Sequence, residues 1–125
     1  MGYGFEARCL DCDTKFMVRE GTGMFAYILR CEKCGEETGF AFRDHEALFR
    51  KYADLLPGPY CVANFDNKEY DPETQAVIND FRQIVESIAG KCKCGGNYTF
   101  FALHRCPKCY STRFEDTQTI SVNFD

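Results

Sequence analysis

Apolar and polar residues alternate in short stretches near the start of the chain. Phe5 and Ala7 alternate with Glu6 and Arg8 and lead into Cys9. The same period of two recurs at three later places, namely Phe16 and Val18, then Phe25, Tyr27 and Leu29, then Phe40 and Phe42. A period of two is typical of half-buried β-strands. Residues 1–43 therefore predict four strands, with a cysteine turn inside each successive pair of strands.

The period changes to that of a helix in the middle of the chain. Asp44 is a suitable N-cap, and Pro57 is expected to stop a first helix. Between them, apolar residues recur at helical spacing at Leu48, Phe49, Tyr52, Leu55 and Leu56. The stretch 57–70 contains turn-forming residues and predicts a long connection.

A second helix has clear signals at both ends. Asp71-Pro72-Glu73 supplies a cap, a proline at the first helical position and an early acid, and Gly90 is a suitable C-terminal cap. The apolar stripe predicted for this helix consists of Val77, Phe81, Ile84 and Ile88, widened by Ile78 and Val85. After it, Ile120, Val122 and Phe124 alternate with polar residues and predict a strand near the C-terminus.

Nine cysteines in 125 residues are the strongest chemical signal in the sequence. Eight of them form four short pairs, and Cys61 is left alone. The N-terminus has neither the basic start nor the apolar stretch of a secretory signal, so we expect a cytoplasmic protein. Disulfides are rare in that compartment, and a dense pattern of paired cysteines there indicates metal binding.

The spacing of the pairs suits tetrahedral metal sites. Two cysteines on a tight turn can direct both sulfur atoms at one ion, and two such turns complete four ligands with metal–sulfur bonds of about 2.3 Å. Eighteen residues separate Cys12 from Cys31 and eleven separate Cys94 from Cys106. Both loops are long enough for one site each. The spacing favours two sequential centres, one of Cys9, Cys12, Cys31 and Cys34 and one of Cys92, Cys94, Cys106 and Cys109.

A cross-braced arrangement is the alternative to sequential centres. It must order the 57 residues between the second and third pairs. Closing the longer loops costs only about 1 kcal/mol more, so chain entropy alone does not decide between the two arrangements. The strand pattern around each set of cysteines favours sequential centres.

The last cysteine pair reads Cys106-Pro107-Lys108-Cys109 and is followed by Tyr110-Ser111. This stretch resembles the common Cys-Pro-x-Cys-Gly-Ser turn of zinc ribbons, with Tyr110 in the position of the usual glycine. Each cysteine zone as a whole resembles a zinc ribbon, over about 43 residues at the start and 35 at the end. The resemblance implies a small antiparallel sheet and a four-cysteine metal site in each zone, and it does not imply a function.

The candidate residues favour a structural metal over a catalytic one. Sulfur fills all four ligand positions of each predicted centre, whereas a catalytic site keeps one position open. We expect His45 and His104 to be surface or packing residues, although His104 could replace a cysteine ligand. Cys61 lies between Tyr60 and Val62, where an inert buried thiol is expected.

The spacing of the ligands does not separate zinc from iron. Zinc suits four thiolates, and two zinc ions are the cofactors we expect. A four-thiolate site can also hold iron, as in rubredoxin, so an electron-transfer protein is an alternative function.

Charge bears on the choice of partner. The formal net charge is −4, and two divalent ions on eight thiolates change it to about −8. Such a chain is not drawn to phosphate backbones by its overall field, so we favour a protein partner over nucleic acid. No apolar run is long enough to span a membrane. Basic residues flank every turn, and we interpret them as compensating the thiolate charge: Arg8, Arg30, Lys33, Lys91, Lys93, Arg105 and Lys108.

Together these patterns predict an α+β protein of two small antiparallel zinc ribbons connected by two helices. The zones are an N-terminal ribbon over 1–43, a helical region over 44–90 and a C-terminal ribbon over 91–125. The expected function is that of a non-catalytic, zinc-binding interaction or adaptor protein. A transcription-associated ribbon factor that binds nucleic acid is a further alternative.

Overall fold

The computed structural model describes residues 2–21, 26–58, 62 and 69–124 as an α+β fold with two small antiparallel sheets. The strands in these residues are β1 (Gly2–Cys9), β2 (Lys15–Gly21), β3 (Ala26–Cys31), β4 (Glu37–Ala41), β5 (Tyr98–Thr99) and β6 (Phe114–Phe124). A 3-10 helix (Phe42–His45) leads into helix α1 (Glu46–Tyr52), and helix α2 spans Pro72–Ala89. The four strands predicted within residues 1–43 are therefore confirmed.

The first sheet has the strand order β2-β1-β6. Its central strand, β1, pairs with β2 through Phe5 and Val18 and with β6 through Phe5 and Ser121. Ala7 and Cys9, which are fully buried, lie on this central strand. The C-terminal strand predicted from alternation is therefore present, and it completes a sheet that the N-terminus begins.

The register between β1 and β6 shifts between Phe5 and Ala7. At the shift, Glu6 lies opposite a bulged stretch of β6 and accepts hydrogen bonds from the hydroxyls of Thr117 and Thr119, at 3.0 and 3.1 Å. Such a bulge interrupts the regular edge of β6 and makes it a poor template for pairing with another strand.

The second sheet has the order β4-β3-β5 and supports the main core. Tyr27, Leu29 and Cys31 are fully buried and alternate along β3 with less buried residues. The Tyr27 ring centroid lies 4.9 Å from that of Phe42 and 5.2 Å from that of Phe100. This aromatic packing joins β3 to the start of the helical region and to the C-terminal zone.

Helix α2 begins and ends where the sequence predicts. Asp71 is its N-cap and accepts a hydrogen bond from the Thr74 amide at 3.2 Å, and Gly90 ends it with a φ of 78°. The predicted stripe is only partly correct, because the buried face is centred on Ile78, Phe81 and Val85. Ile88 is 50% exposed, so the stripe does not reach the last turn.

The first predicted helix is shorter than its apolar spacing suggests. Asp44 lies within the 3-10 helix, and the N-cap of α1 is His45, without a side-chain capping bond. The helix ends at Tyr52, before Pro57. The prediction of Asp44 as the cap was wrong because the chain enters the 3-10 helix directly after β4, which places Phe42 against Tyr27 and Phe49.

Both sheets take strands from both ends of the chain. β6 joins β1 in the first sheet and β5 joins β3 in the second. Strand pairing therefore sets which cysteine turns lie close together.

Neither α2 nor any other described helix has the length and apolar character needed to cross a bilayer.

Candidate metal centres

The first and fourth cysteine turns form one centre, here called the outer centre. Cys9, Cys12, Cys106 and Cys109 have their sulfur atoms within 4.8 Å of one another. Cys9 Sγ lies 3.5 Å from Cys109 Sγ, and Cys12 Sγ lies 3.5 Å from Cys106 Sγ. The turns meet because β1 pairs with β6, which places Cys9 opposite Phe114.

The second and third turns form the inner centre. Its ligands Cys31, Cys34, Cys92 and Cys94 also have their sulfur atoms within 4.8 Å of one another. Cys31 Sγ lies 3.4 Å from Cys94 Sγ, and Cys34 Sγ lies 3.5 Å from Cys92 Sγ. The pairing of Cys31 with Tyr98, between β3 and β5, brings these two turns together.

The predicted sequential grouping of the cysteines was wrong. Each centre takes one pair from each end of the chain, and the inner centre is nested within the outer one. The arrangement spans the 57 residues between Cys34 and Cys92, as the alternative required. The cost of closing that loop is small, and the strand pairing between the ends outweighs it.

All four turns share one backbone feature. A residue with positive φ directly follows the second cysteine of each turn, and its amide donates to the carbonyl of the first cysteine. These residues are Asp13 (66°), Gly35 (79°), Gly95 (91°) and Tyr110 (64°). Tyr110 thus adopts the conformation that the ribbon motif normally gives to glycine. Sequence alone marks the two glycines clearly, whereas Asp is only enriched in this region and Tyr is uncommon there.

Gly96 lets the two turns of the inner centre approach closely. A Cβ atom at this residue would lie 2.6 Å from Cys31 Sγ and 2.7 Å from Lys33 Cβ. Across the same junction, the Glu32 amide donates to the Asn97 carbonyl at 2.9 Å. The Gly95-Gly96 pair therefore shapes both the turn and the contact.

One thiol in each centre is readily ionised. The Thr14 hydroxyl lies 3.1 Å from Cys12 Sγ, and its hydrogen bond is the main reason that the pKa of Cys12 falls to about 6. At Cys31 burial opposes ionisation, but hydrogen bonds from the amides of Cys34 and Lys33 outweigh it and lower the pKa to about 7. Amide and hydroxyl donors stabilise a thiolate in this way.

A second thiol in each centre stays protonated. Burial is the main cause that raises the pKa of Cys34 to about 12. At Cys109 the amide of Ser111 favours ionisation, but burial and contacts with the neighbouring cysteines prevail and raise the pKa to about 12. Four thiols so close together cannot all be anionic without a cation between them.

The sulfur geometry fits a tetrahedral metal. Ligands about 2.3 Å from a tetrahedral ion lie about 3.8 Å from one another. The closest pairs, at 3.4 and 3.5 Å, are near that separation and well outside the length of about 2.05 Å of a disulfide. Both cysteine groups can therefore hold a metal ion, and all four donors in each are sulfur.

The match to a known family covers most of the chain. A family model described as Domain of unknown function (DUF8255) matches residues 5–115. The chain belongs to this family. All eight cysteines of the two centres lie within the matched DUF8255 segment. No zinc-ribbon family is recognised, and no curated protein and no solved structure matches the chain.

The two histidines that the sequence offers as possible ligands pack against aromatic rings. The His45 and Phe40 rings are stacked, with their centroids 4.0 Å apart. The His104 and Phe114 rings are nearly perpendicular, with their centroids 6.3 Å apart. Neither histidine belongs to a cysteine group in the part of the chain that the structure describes. Cys61 lies outside the described residues.

Several basic residues beside the turns bond to carboxylates or carbonyls. Arg8 forms ion pairs with Asp13 and Glu115. Arg105 donates from Nη1 to the Tyr110 carbonyl at 2.9 Å, while its buried Nε has no hydrogen-bond partner. Arg113, which was not among the predicted residues, pairs with Asp11 at 2.8 Å and links the first and fourth turns.

Proposed function

We propose that this protein is a non-catalytic, zinc-binding interaction module whose two four-cysteine centres hold its fold together. The observation that carries the proposal is the gathering of eight cysteines into two groups of four sulfur donors. Zinc bound by four thiolates has no open position for a substrate or an activated water, so its role is structural.

The placement of the centres supports a structural role. The outer centre joins the end of β1 to the turn before β6, and the inner centre joins the end of β3 to the segment that follows α2. Each bound ion would therefore fix one end of the chain to the other. In small domains of this kind the free energy of metal binding contributes directly to folding.

Exposed apolar side chains near the outer centre support binding to another protein. Leu10 lies within the first turn and is 45% exposed, and Tyr110 follows the fourth turn and is 52% exposed. Each directly follows a ligand of the outer centre in the sequence, namely Cys9 and Cys109, and exposed apolar surface is a feature of protein contact sites. The acidic net charge and the ion pairs of Arg8 and Arg113 argue against a site for phosphate backbones.

Electron transfer by iron is a second candidate. Cys94 and Cys109, one ligand in each centre, are exposed. An exposed sulfur gives an electron a short path between the metal and a partner. Iron bound by four thiolates is coloured, whereas zinc is colourless, so absorption of the purified protein separates the two candidates.

Native mass spectrometry with elemental analysis tests the metal assignment. The proposal predicts two zinc ions per chain and loss of folded circular dichroism after full chelation. Fewer than two ions, or a fold that persists without metal, would refute the structural role. Two iron ions with visible absorption would instead favour electron transfer.

The interaction role needs a separate comparison of surface variants. Leu10→Ser should abolish capture of a partner from the source cell while both zinc ions remain bound. Ile88→Ser is a matched control, because Ile88 is similarly exposed but lies on α2. Equal capture by the two variants would count against a partner site at the outer centre.

A further inference from the structure

An open cleft borders three ligands of the inner centre. The cleft has a volume of about 370 Å³, and three inner ligands, Cys34, Cys92 and Cys94, line it. None of the four outer ligands does, although Pro107 and Tyr110 of the neighbouring turn form part of its wall. An ion at the inner centre would therefore be reachable by solutes through this cleft.

A carboxylate lies in this cleft beside one of the ligands. Glu36 Oε2 is 3.2 Å from Cys92 Sγ, and Glu36 itself lines the cleft. At the outer centre the corresponding neighbour is the neutral hydroxyl of Thr14, 3.1 Å from Cys12 Sγ. A carboxylate weakens a four-thiolate site by adding like charge, and it offers an oxygen that can bind a divalent ion.

Side-chain contacts hold the two turns of the outer centre together more firmly. Asp11 of the first turn bonds to both Ser111 and Arg113 after the fourth turn. Arg8 adds an ion pair to Glu115 across the same junction. At the inner centre, the side-chain bonds described between the turns run from Asn97 Nδ2 to Glu32 Oε1, at 3.1 Å, and from Cys92 Sγ to Glu36 Oε2, at 3.2 Å, and neither is an ion pair.

From this asymmetry we propose that the inner centre is an exchangeable metal site and that Glu36 is the transient ligand through which the ion enters and leaves. The proposal rests on the proposed function, since it needs both centres to bind metal. During exchange, a Glu36 oxygen would bind the ion as one cleft-lining cysteine releases it. The departing sulfur keeps its electron pair, and no electron is transferred. The outer centre retains its ion throughout.

Cadmium NMR measures exchange at each centre separately. The protein is loaded with an NMR-active cadmium isotope and then given an excess of an NMR-silent one. Couplings between cadmium and cysteine Hβ protons assign each resonance to its ligands. The proposal predicts that the inner resonance decays at least about ten-fold faster than the outer one, which is within the range of effects that neighbouring groups have on metal sites.

Two variants test the role of Glu36. Glu36→Gln should slow the inner exchange by about ten-fold and leave the outer rate unchanged. Glu46→Gln is the control, because Glu46 lies on α1 and does not line the cleft. Equal decay of the two wild-type resonances, or an inner rate that Glu36→Gln leaves unchanged, would overturn the proposal while leaving the structural centres intact. A protein that binds no cadmium at either centre would instead refute the proposed function.

Discussion

Cys12 Sγ lies 3.5 Å from Cys106 Sγ, although 94 positions separate the two residues in the sequence. The contact closes the outer centre around nearly the whole chain. It exists because β1 lies between β2 and β6 in one sheet, so the turn after β1 faces the turn before β6. The two centres are thus products of long-range strand pairing.

The nested grouping predicts which substitutions remove the same ion. Cys9→Ser and Cys106→Ser should each lose the outer ion and retain the inner one. The double variant should be little less stable than either single variant, because the interaction is already lost after the first change. Zinc content and urea unfolding of the three variants measure this.

Sequential centres would give a different result for these variants. Each single change would remove a different ion, and the double variant would lose both. That outcome would contradict the nested grouping.

The close approach at Gly96 predicts a large effect from one methyl group. Gly96→Ala should lower the free energy of unfolding by about 1–3 kcal/mol, since its Cβ would lie 2.6 Å from Cys31 Sγ. The inner ion should be lost preferentially. Gly39→Ala is the control, because a Cβ there meets no atom within 4 Å. Equal stability of the two variants would show that the turns of the inner centre do not meet at Gly96.

The positive φ of Tyr110 predicts a stabilising substitution. An L-residue in the left-handed region costs about 1–2 kcal/mol, and glycine avoids that cost but loses more entropy on folding. Tyr110→Gly should therefore raise the free energy of unfolding by about 0.5–1 kcal/mol, as measured by urea unfolding of the zinc-loaded protein. The bond from Arg105 to the residue 110 carbonyl is retained. A loss of stability would mean that the Tyr110 ring contributes more than its backbone costs.

Thiol protonation predicts how metal affinity depends on pH. In the metal-free protein the pKa of Cys34 and of Cys109 is about 12, so each keeps its proton at neutral pH. Metal must displace at least this one proton at each centre, and the affinity should therefore rise at least about ten-fold per pH unit. Competition with a chelator between about pH 6.5 and pH 8 measures the slope. An affinity that does not change with pH would contradict thiolate ligation.

Local structure was predictable where short-range signals specify it. Helix α2 has its cap at Asp71 and its end at Gly90 because both signals act within one turn of helix. The strands around the first two cysteine turns likewise follow from alternation and the turns between them. The eight candidate ligands were recognisable because each pair lies within a few residues.

The grouping of the ligands was not predictable in this way. It depends on Phe5 pairing with Ser121 and Cys31 with Tyr98, and no local signal marks those contacts. Loop closure separates the possible arrangements by only about 1 kcal/mol, so entropy gave no guidance either. The positive φ of Tyr110 was equally hidden, because its amino-acid type argues against that conformation.

Proton–cadmium correlation NMR of the cadmium-loaded protein tests the grouping most directly. The account predicts two cadmium resonances, each coupled to Hβ protons of four cysteines. One should correlate with Cys9, Cys12, Cys106 and Cys109, and the other with Cys31, Cys34, Cys92 and Cys94. A resonance that correlates with Cys9, Cys12, Cys31 and Cys34 would contradict the nested centres.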